Sequence, residues 1–104
     1  MTIMNGKYIY ISGPMTGIPE FNHPAFNKVA KILRQEGAIV FNPAEAFEGK
    51  KDLPRHEYMR KDIKQLLEAE AIVMIEGWEQ SKGARLELEI AKEINIPVYI
   101  WGKK

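Results

Sequence analysis

The feature that most constrains the fold of this chain is the alternation of short apolar runs with longer stretches of helical periodicity. Four runs rich in β-branched and aromatic residues predict buried strands at residues 8–12, 38–41, 71–75 and 97–101. Their nearly continuous apolar character is typical of parallel strands covered on both faces. Strands that alternate with helices in this way form right-handed βαβ units around a parallel sheet.

Three helices are predicted between these strands, at residues 24–36, 54–68 and 82–94. The apolar positions expected to face the sheet are Phe26, Val29, Ala30 and Leu33 in the first helix, Tyr58, Ile63, Leu66 and Leu67 in the second, and Leu86, Ile90 and Ile94 in the third. Gly37 suits a helix stop, Pro54 a first helical turn and Ser81 an N-cap. The pattern predicts one α/β domain over residues 1–104, a three-layer sandwich of the flavodoxin or Rossmann-like kind with about four parallel strands.

Composition excludes several classes of protein. Fifteen basic and fourteen acidic residues leave a formal net charge of +1 without a long basic tract, so we expect no nucleic-acid polymer as partner. The absence of cysteine excludes disulfides and thiolate catalysis. No run approaches the roughly 20 apolar residues that span a bilayer, and no signal-peptide pattern is visible. We therefore expect a cytoplasmic protein without a membrane partner.

The small size of the chain favours self-association. A chain of 104 residues buries only roughly two-thirds of the surface that its unfolded form exposes, so an interface would add useful burial. Trp78 and Phe47 are the aromatic residues expected at such a surface. We therefore expect a homo-oligomer, most simply a dimer.

Ligands of parallel α/β sheets bind at the carboxyl ends of the strands, so the loops that follow the strands are the candidate binding segments. The first strand is followed by Ser12-Gly13-Pro14-Met15-Thr16-Gly17, whose small residues would let backbone amides approach a ligand. The alternative is a purely structural Gly-Pro turn. Tyr10, within the strand, is either a packed aromatic with its hydroxyl satisfied at the sheet edge or a hydroxyl directed into the cleft.

The second and third helices carry the candidate carboxylates. Asp62 is either a solvated surface charge or part of the site. Ser81 and Gly83 at the start of the third helix can present a hydroxyl and bare amides to an anion. Glu87 lies less than two turns further on and can face the same cleft, whereas Glu89 lies about 200° away from it around the helix axis. No spacing indicates a metal site, and His23 and His56 are expected to be ordinary surface or capping residues.

In their order along the chain, Tyr10-Ile11-Ser12-Gly13-Pro14, then Asp62, then Ser81-Lys82-Gly83 followed by Glu87 resemble the nucleoside 2-deoxyribosyltransferase superfamily. The likeness is greatest to its 2′-deoxynucleoside 5′-phosphate N-hydrolase branch, with that branch's small phage and bacterial relatives, and covers nearly the whole chain. It implies cleavage of the N-glycosidic bond of a (deoxy)nucleoside or its 5′-monophosphate, by hydrolysis or base transfer, without cofactor or metal. It also implies a small-molecule nucleoside or nucleotide as partner and a habit of dimerising.

The resemblance assigns roles to individual residues. It implies that Glu87 is the nucleophile on the anomeric carbon, that Asp62 binds the sugar and assists the leaving base, and that Tyr10 hydrogen-bonds near the reacting centre. The residues that it implies for substrate binding are Ser12, Gly13, Pro14, Met15, Thr16, Ser81 and Gly83.

One departure from the family keeps other functions open. Thr16 occupies the position of the arginine that clamps phosphate in the N-hydrolases, and Arg55, Arg60 or Arg85 would have to replace it. A second hypothesis is therefore a non-catalytic binder of a nucleotide or an ADP-ribose-like ligand. A third is a structural or interaction protein that shares only the fold, because fold does not fix function. The joint presence of the two carboxylates and the tyrosine favours the enzyme.

Overall fold

Four parallel strands form the sheet of this protein. The computed structural model describes residues 5–46 and 54–102. The strands are β1 (Tyr8–Ser12), β2 (Ile39–Phe41), β3 (Ala71–Met74) and β4 (Val98–Ile100). They hydrogen-bond in the order β2-β1-β3-β4, and every pair is parallel. The predicted parallel sheet is confirmed, with each strand within one residue of its predicted bounds.

Helices connect successive strands. They are α1 (His23–Gln35), α2 (Pro43–Ala46), α3 (Arg55–Leu67) and α4 (Lys82–Glu93). The single turn α2 was not predicted, because four residues after a strand carry no helical periodicity. Gly37 ends α1 with a φ of 96°, and Pro54 is the N-cap of α3 instead of a first-turn residue. No helix in the described ranges has the length and apolar character needed to cross a membrane.

The helices cover both faces of the sheet, which makes the fold a three-layer sandwich as predicted. Alternate residues of a strand point to opposite faces. Ile9 and Ile11 of β1 pack in the core beneath α1, whereas Tyr10 packs in the core shared with α3 and α4. The four apolar positions predicted to form the inner stripe of α1 are all buried.

The predicted inner face of α4 was wrong at two of its three positions, whereas Ile90 is partly buried and packs against the core as predicted. Leu86 is 46% exposed and Ile94 is 44% exposed, and the buried residues of the helix are Ala84, Glu87, Leu88 and Ala91. Alanine side chains allow a helix to approach the sheet closely, and the buried glutamate lies on that same side. Leu67, near the end of α3, is also exposed instead of inward-facing.

The strand order places a switch point between β1 and β3. The chain leaves β1 through α1 toward β2 on one side, and leaves β3 through α4 toward β4 on the other. Two connections that run in opposite directions from adjacent strands open a crevice at their carboxyl ends. The loop after β1 and the first turns of α4 therefore meet there.

Candidate active site

A cavity of about 360 Å³ lies in this crevice, within the range typical of small-molecule sites. Residues of β1, the loop and turn between β1 and α1, and all four helices line it. The structure brings together nine of the ten predicted site residues: Tyr10, Ser12, Gly13, Met15, Thr16, Asp62, Ser81, Gly83 and Glu87.

Pro14 is the predicted binding residue that does not line the cavity. It is buried, and its carbonyl oxygen accepts a hydrogen bond of 2.9 Å from the Asn22 side chain. The neighbouring Gly13 has no room for a side chain, because a Cβ there would lie 2.3 Å from Cγ1 of Ile75. Pro14 therefore shapes the loop from behind, and Gly13 lets the loop pack against the end of β3.

The Glu87 carboxylate is held by two hydroxyl groups. Glu87 is only 6% exposed. The Tyr10 hydroxyl donates to Oε2 at 2.7 Å, and the Ser12 hydroxyl donates to Oε1 at 2.6 Å. Tyr10 and Ser12 are two residues apart in β1 and so point to the same face of the sheet. Both lengths lie in the range of charge-assisted O–H···O⁻ hydrogen bonds.

The start of α4 fixes the direction of Glu87. Ser81 is the N-cap, as predicted, and its side-chain oxygen accepts a hydrogen bond of 3.1 Å from the Ala84 amide. From this start, Glu87 falls on the buried side of the helix and Glu89 on the exposed side. The two glutamates therefore point to different sides of the helix, as the helical angle predicted, and Glu87 is the one that lines the cavity.

Asp62 is the second carboxyl group in the cavity and is not a solvated surface charge. It is 8% exposed. Burial, and secondarily the negative charge of Glu87, raises the pKa of Asp62 to about 7. Within the described part of the chain, no hydrogen bond or ion pair to Asp62 offsets this effect. Asp62 therefore holds a proton far more readily than an ordinary aspartate.

The environment of Glu87 differs from that of Asp62. The pKa of Glu87 is raised on balance, because burial raises it by more than the hydrogen bonds from Ser12 and Tyr10 lower it. Burial, together with the Glu87 charge, raises the pKa of Tyr10 well above its ordinary value, so the tyrosine stays protonated and can donate. Two carboxyl groups in unlike surroundings, one held by hydroxyl donors and the other not, are the kind of arrangement that separates nucleophile from acid in glycosidases.

The cavity has an aromatic part that the sequence did not predict. Glu20, Phe21 and Asn22 all have left-handed backbones, with φ of 57°, 51° and 62°. The turn leads into α1, where His23 is the first residue. Phe21 and His23 both line the cavity, with ring centroids 6.2 Å apart. His23 is partly exposed at the start of α1, where a surface or capping residue was expected, but it also lines the cavity, which was not predicted. A turn without glycine gives no sequence signal for a left-handed backbone. His56 is exposed, as expected.

The cavity wall shows whether another arginine replaces the one that the N-hydrolases have at the position of Thr16. Thr16 lines the cavity, whereas Arg60 and Arg85 are exposed and do not. The Arg55 side chain lies outside the described residues. Among the described lining residues there is no lysine or arginine. The described residues also contain no cluster of three or more His, Cys, Asp or Glu side chains able to hold a metal ion.

Comparison with known proteins places the chain among relatives of the same fold. A 2-deoxyribosyltransferase from the psychrotolerant bacterium Bacillus psychrosaccharolyticus superposes with a TM-score of 0.70 and 21% identity, over 89% of this chain and 70% of that one. A 2-deoxyribosyltransferase from Leishmania mexicana gives a TM-score of 0.71 and 19% identity, over 90% of this chain and 63% of that one. The chain thus spans less than two thirds of the Leishmania protein. No curated protein matches it.

A family model covers most of the sequence. The family described as a domain of unknown function (DUF4406) matches residues 7–100. The match begins just before β1 and ends with β4, so it includes every element that lines the cavity. This chain therefore belongs to the DUF4406 family, and it has the fold of the nucleoside 2-deoxyribosyltransferases.

Proposed function

We propose that this protein is an enzyme that cleaves the N-glycosidic bond of a (deoxy)nucleoside or its 5′-monophosphate, by hydrolysis or by transfer to a second base. The observation that carries the proposal is the buried Glu87 carboxylate, with one hydroxyl donor on each oxygen and a second carboxyl group beside it. The fold shared with two 2-deoxyribosyltransferases supports the same chemistry.

The chemistry proceeds in two displacements. As the bond from C1′ to the base nitrogen breaks, its electron pair leaves with the base, and Asp62 donates its proton to that base. The Glu87 carboxylate stabilises the oxocarbenium-like transition state by its charge and then forms the ester bond to C1′. Water or a second base attacks C1′ next and releases Glu87, while the proton of the incoming nucleophile returns to Asp62.

Incubation with a panel of deoxynucleosides, ribonucleosides and their 5′-monophosphates tests this proposal. We expect free base to appear on chromatography, with the sugar either free or joined to an added acceptor base. Binding of the panel without release of base would instead support the alternative, a non-catalytic binder of a nucleotide or an ADP-ribose-like ligand.

The same panel tests the preference for phosphate. Ser81 and Gly83 line the cavity at the amino end of α4, which favours an anion through its amides and dipole. Charge-assisted hydrogen bonds are worth about 1.5–3 kcal/mol, so we expect a 5′-monophosphate to bind roughly ten- to a hundredfold more tightly than its nucleoside. Equal affinities would indicate that this protein, which has Thr16 in place of the arginine of the N-hydrolases, acts on unphosphorylated substrates.

We also propose that the protein forms a homodimer. Trp78 is partly buried and packs against the core, and Phe47 lies outside the described residues, so neither supports the expectation. Exposed Leu86 on α4 and exposed Ile94, the residue that follows this helix, support it instead. Analytical ultracentrifugation should find about twice the 11.9 kDa of one chain, and Ile94→Lys should weaken the association. A single 11.9 kDa species at high protein concentration would contradict the proposal.

A further inference from the structure

Ser12 directs its hydroxyl proton at the Glu87 carboxylate. Its side chain is buried, at 1% exposure, although the residue contributes to the cavity wall. The hydroxyl proton is donated to Oε1 of Glu87 over 2.6 Å in a buried hydrogen bond. A hydroxyl carries only one proton, so Ser12 cannot also donate a hydrogen bond to a substrate oxygen.

The two buried carboxyl groups, Glu87 and Asp62, differ in their hydrogen-bond donors. Glu87 has a hydroxyl donor on each oxygen, Ser12 on Oε1 and Tyr10 on Oε2. Asp62 is comparably buried, and its neighbourhood in the described residues offers burial and a negative charge but no donor. A hydrogen-bond donor stabilises a carboxylate, whereas burial beside a like charge favours the protonated acid.

We propose that Ser12 is a positioning residue that makes Glu87, and not Asp62, the carboxyl group that carries the negative charge. Tyr10 donates the hydrogen bond to Oε2 of Glu87. Ser12 donates the other, to Oε1, so Glu87 has two donors. Without Ser12, Glu87 would keep a donor on only one oxygen and would resemble Asp62 more closely. The catalytic consequence deepens the proposed function and rests on it, whereas the assignment of charge can be tested without any substrate.

Other titratable groups reach the cavity from the elements packed around Glu87. They are Tyr10 from β1, Tyr58 and Asp62 from α3, and His23 from α1. Lysine and arginine are missing from the described residues of the wall. In the described part of the site, Glu87 is therefore stabilised as a carboxylate by two hydroxyl dipoles and not by a lysine or an arginine. Removal of one hydroxyl should therefore change the pKa of Glu87 strongly.

Carboxyl ¹³C chemical shifts followed against pH would report the protonation of Glu87 and Asp62 separately in the unliganded protein. In Ser12→Ala, the loss of a donor to the charged form should raise the pKa of Glu87. Less charge on Glu87 at a given pH should then lower the pKa of Asp62. We expect Ser12→Thr, which keeps the hydroxyl, to restore the wild-type titration, and Ser12→Cys, a weaker donor, to be intermediate if Ser12→Ala does not fold.

Kinetics gives the second readout. The acid limb of the pH–rate profile should move to higher pH in Ser12→Ala, with a rate on that limb about ten- to a hundredfold lower, while KM changes little. Unchanged carboxyl titrations in Ser12→Ala would overturn the inference. Shifted titrations in a protein that releases no base from any nucleoside would support the inference and reject the proposed function, so the two failures are distinguishable.

Discussion

Replacing Glu87 with glutamine is expected to slow base release by roughly a thousandfold or more. The substitution keeps the size of the side chain but removes the charge that faces the developing cation, and it removes the nucleophile. One charged partner in a site with little water is worth several kcal/mol of barrier, and about 1.4 kcal/mol corresponds to a tenfold change in rate. Single-turnover release of base, measured by chromatography, gives the ratio directly.

Folding of Glu87→Gln should be unaffected or slightly improved. The glutamate is buried, and burial raises its pKa, so its charge does not stabilise the folded state. The amide oxygen of glutamine can still accept one of the two hydroxyl hydrogen bonds, and the other hydroxyl can rotate to accept from the amide nitrogen. Thermal unfolding by circular dichroism should therefore separate a catalytic defect from a folding defect.

Glu89→Gln is the matched control for this experiment. Glu89 lies on the same helix, two residues away, and is exposed to solvent. Its rate should stay within a few-fold of wild type. A fully active Glu87→Gln, in a protein that does cleave nucleosides, would reject the proposed mechanism.

Replacing Asp62 with asparagine should have the second largest effect. Protonation of a departing base by a positioned acid contributes about 10²–10⁴-fold to a rate, and asparagine cannot supply that proton. In the wild type, activity requires Asp62 protonated, so the rate should fall as pH rises through about 7, the pKa of Asp62. In Asp62→Asn this alkaline fall should disappear, because no titrating acid remains at that position.

Stability should respond to the same substitution in the opposite direction. The pKa of Asp62 is raised in the folded state from 3.8 to about 7, so between these pH values the folded chain binds more protons than the unfolded chain. The contribution of Asp62 to stability is therefore most favourable below about pH 4 and declines as pH rises toward 7. Asp62→Asn should raise the free energy of unfolding above neutral pH, as measured by urea denaturation.

Glu57→Gln provides the control on the same helix, because Glu57 is an exposed residue of α3. It should leave both the pH–rate profile and the pH dependence of stability as they are in the wild type. An Asp62→Asn variant that keeps the alkaline fall would assign that fall to another group, and Asp62 would lose its role as the acid.

Much of this architecture is encoded locally. The apolar runs predicted all four strands, because a strand buried on both faces needs apolar residues at nearly every position. The inner stripe of α1 followed from 3.6-residue periodicity alone. The orientation of Glu87 relative to Glu89 needed only the helical angle per residue and a start at Ser81, both of which the structure reproduces.

Other features depend on contacts between distant parts of the chain. The inner face of α4 was predicted from its larger apolar residues. The face that is buried carries Ala84, Ala91 and Glu87. It was not predicted, because hydrophobic periodicity treats every glutamate as an exposed polar residue. The acidity of Asp62 depends on burial and on a neighbour 25 positions along the chain. Likewise, no local pattern distinguishes Pro14, turned away from the cavity, from the glycine before it.

The left-handed turn at Glu20 and Phe21 has a consequence for how this protein fails on heating. A left-handed backbone costs a residue with a side chain such as Glu20 or Phe21 roughly 1–2 kcal/mol. The total stability of an ordinary domain is only about 5–15 kcal/mol. Segments that hold unfavourable conformations with few buried contacts open before the rest of a structure does. Phe21 of the cavity wall belongs to this turn, whereas Asp62 and Glu87 belong to the long helices α3 and α4. We therefore expect warming to displace Phe21 from the cavity wall while the strands are still paired, and we expect this turn to limit the upper working temperature of the protein.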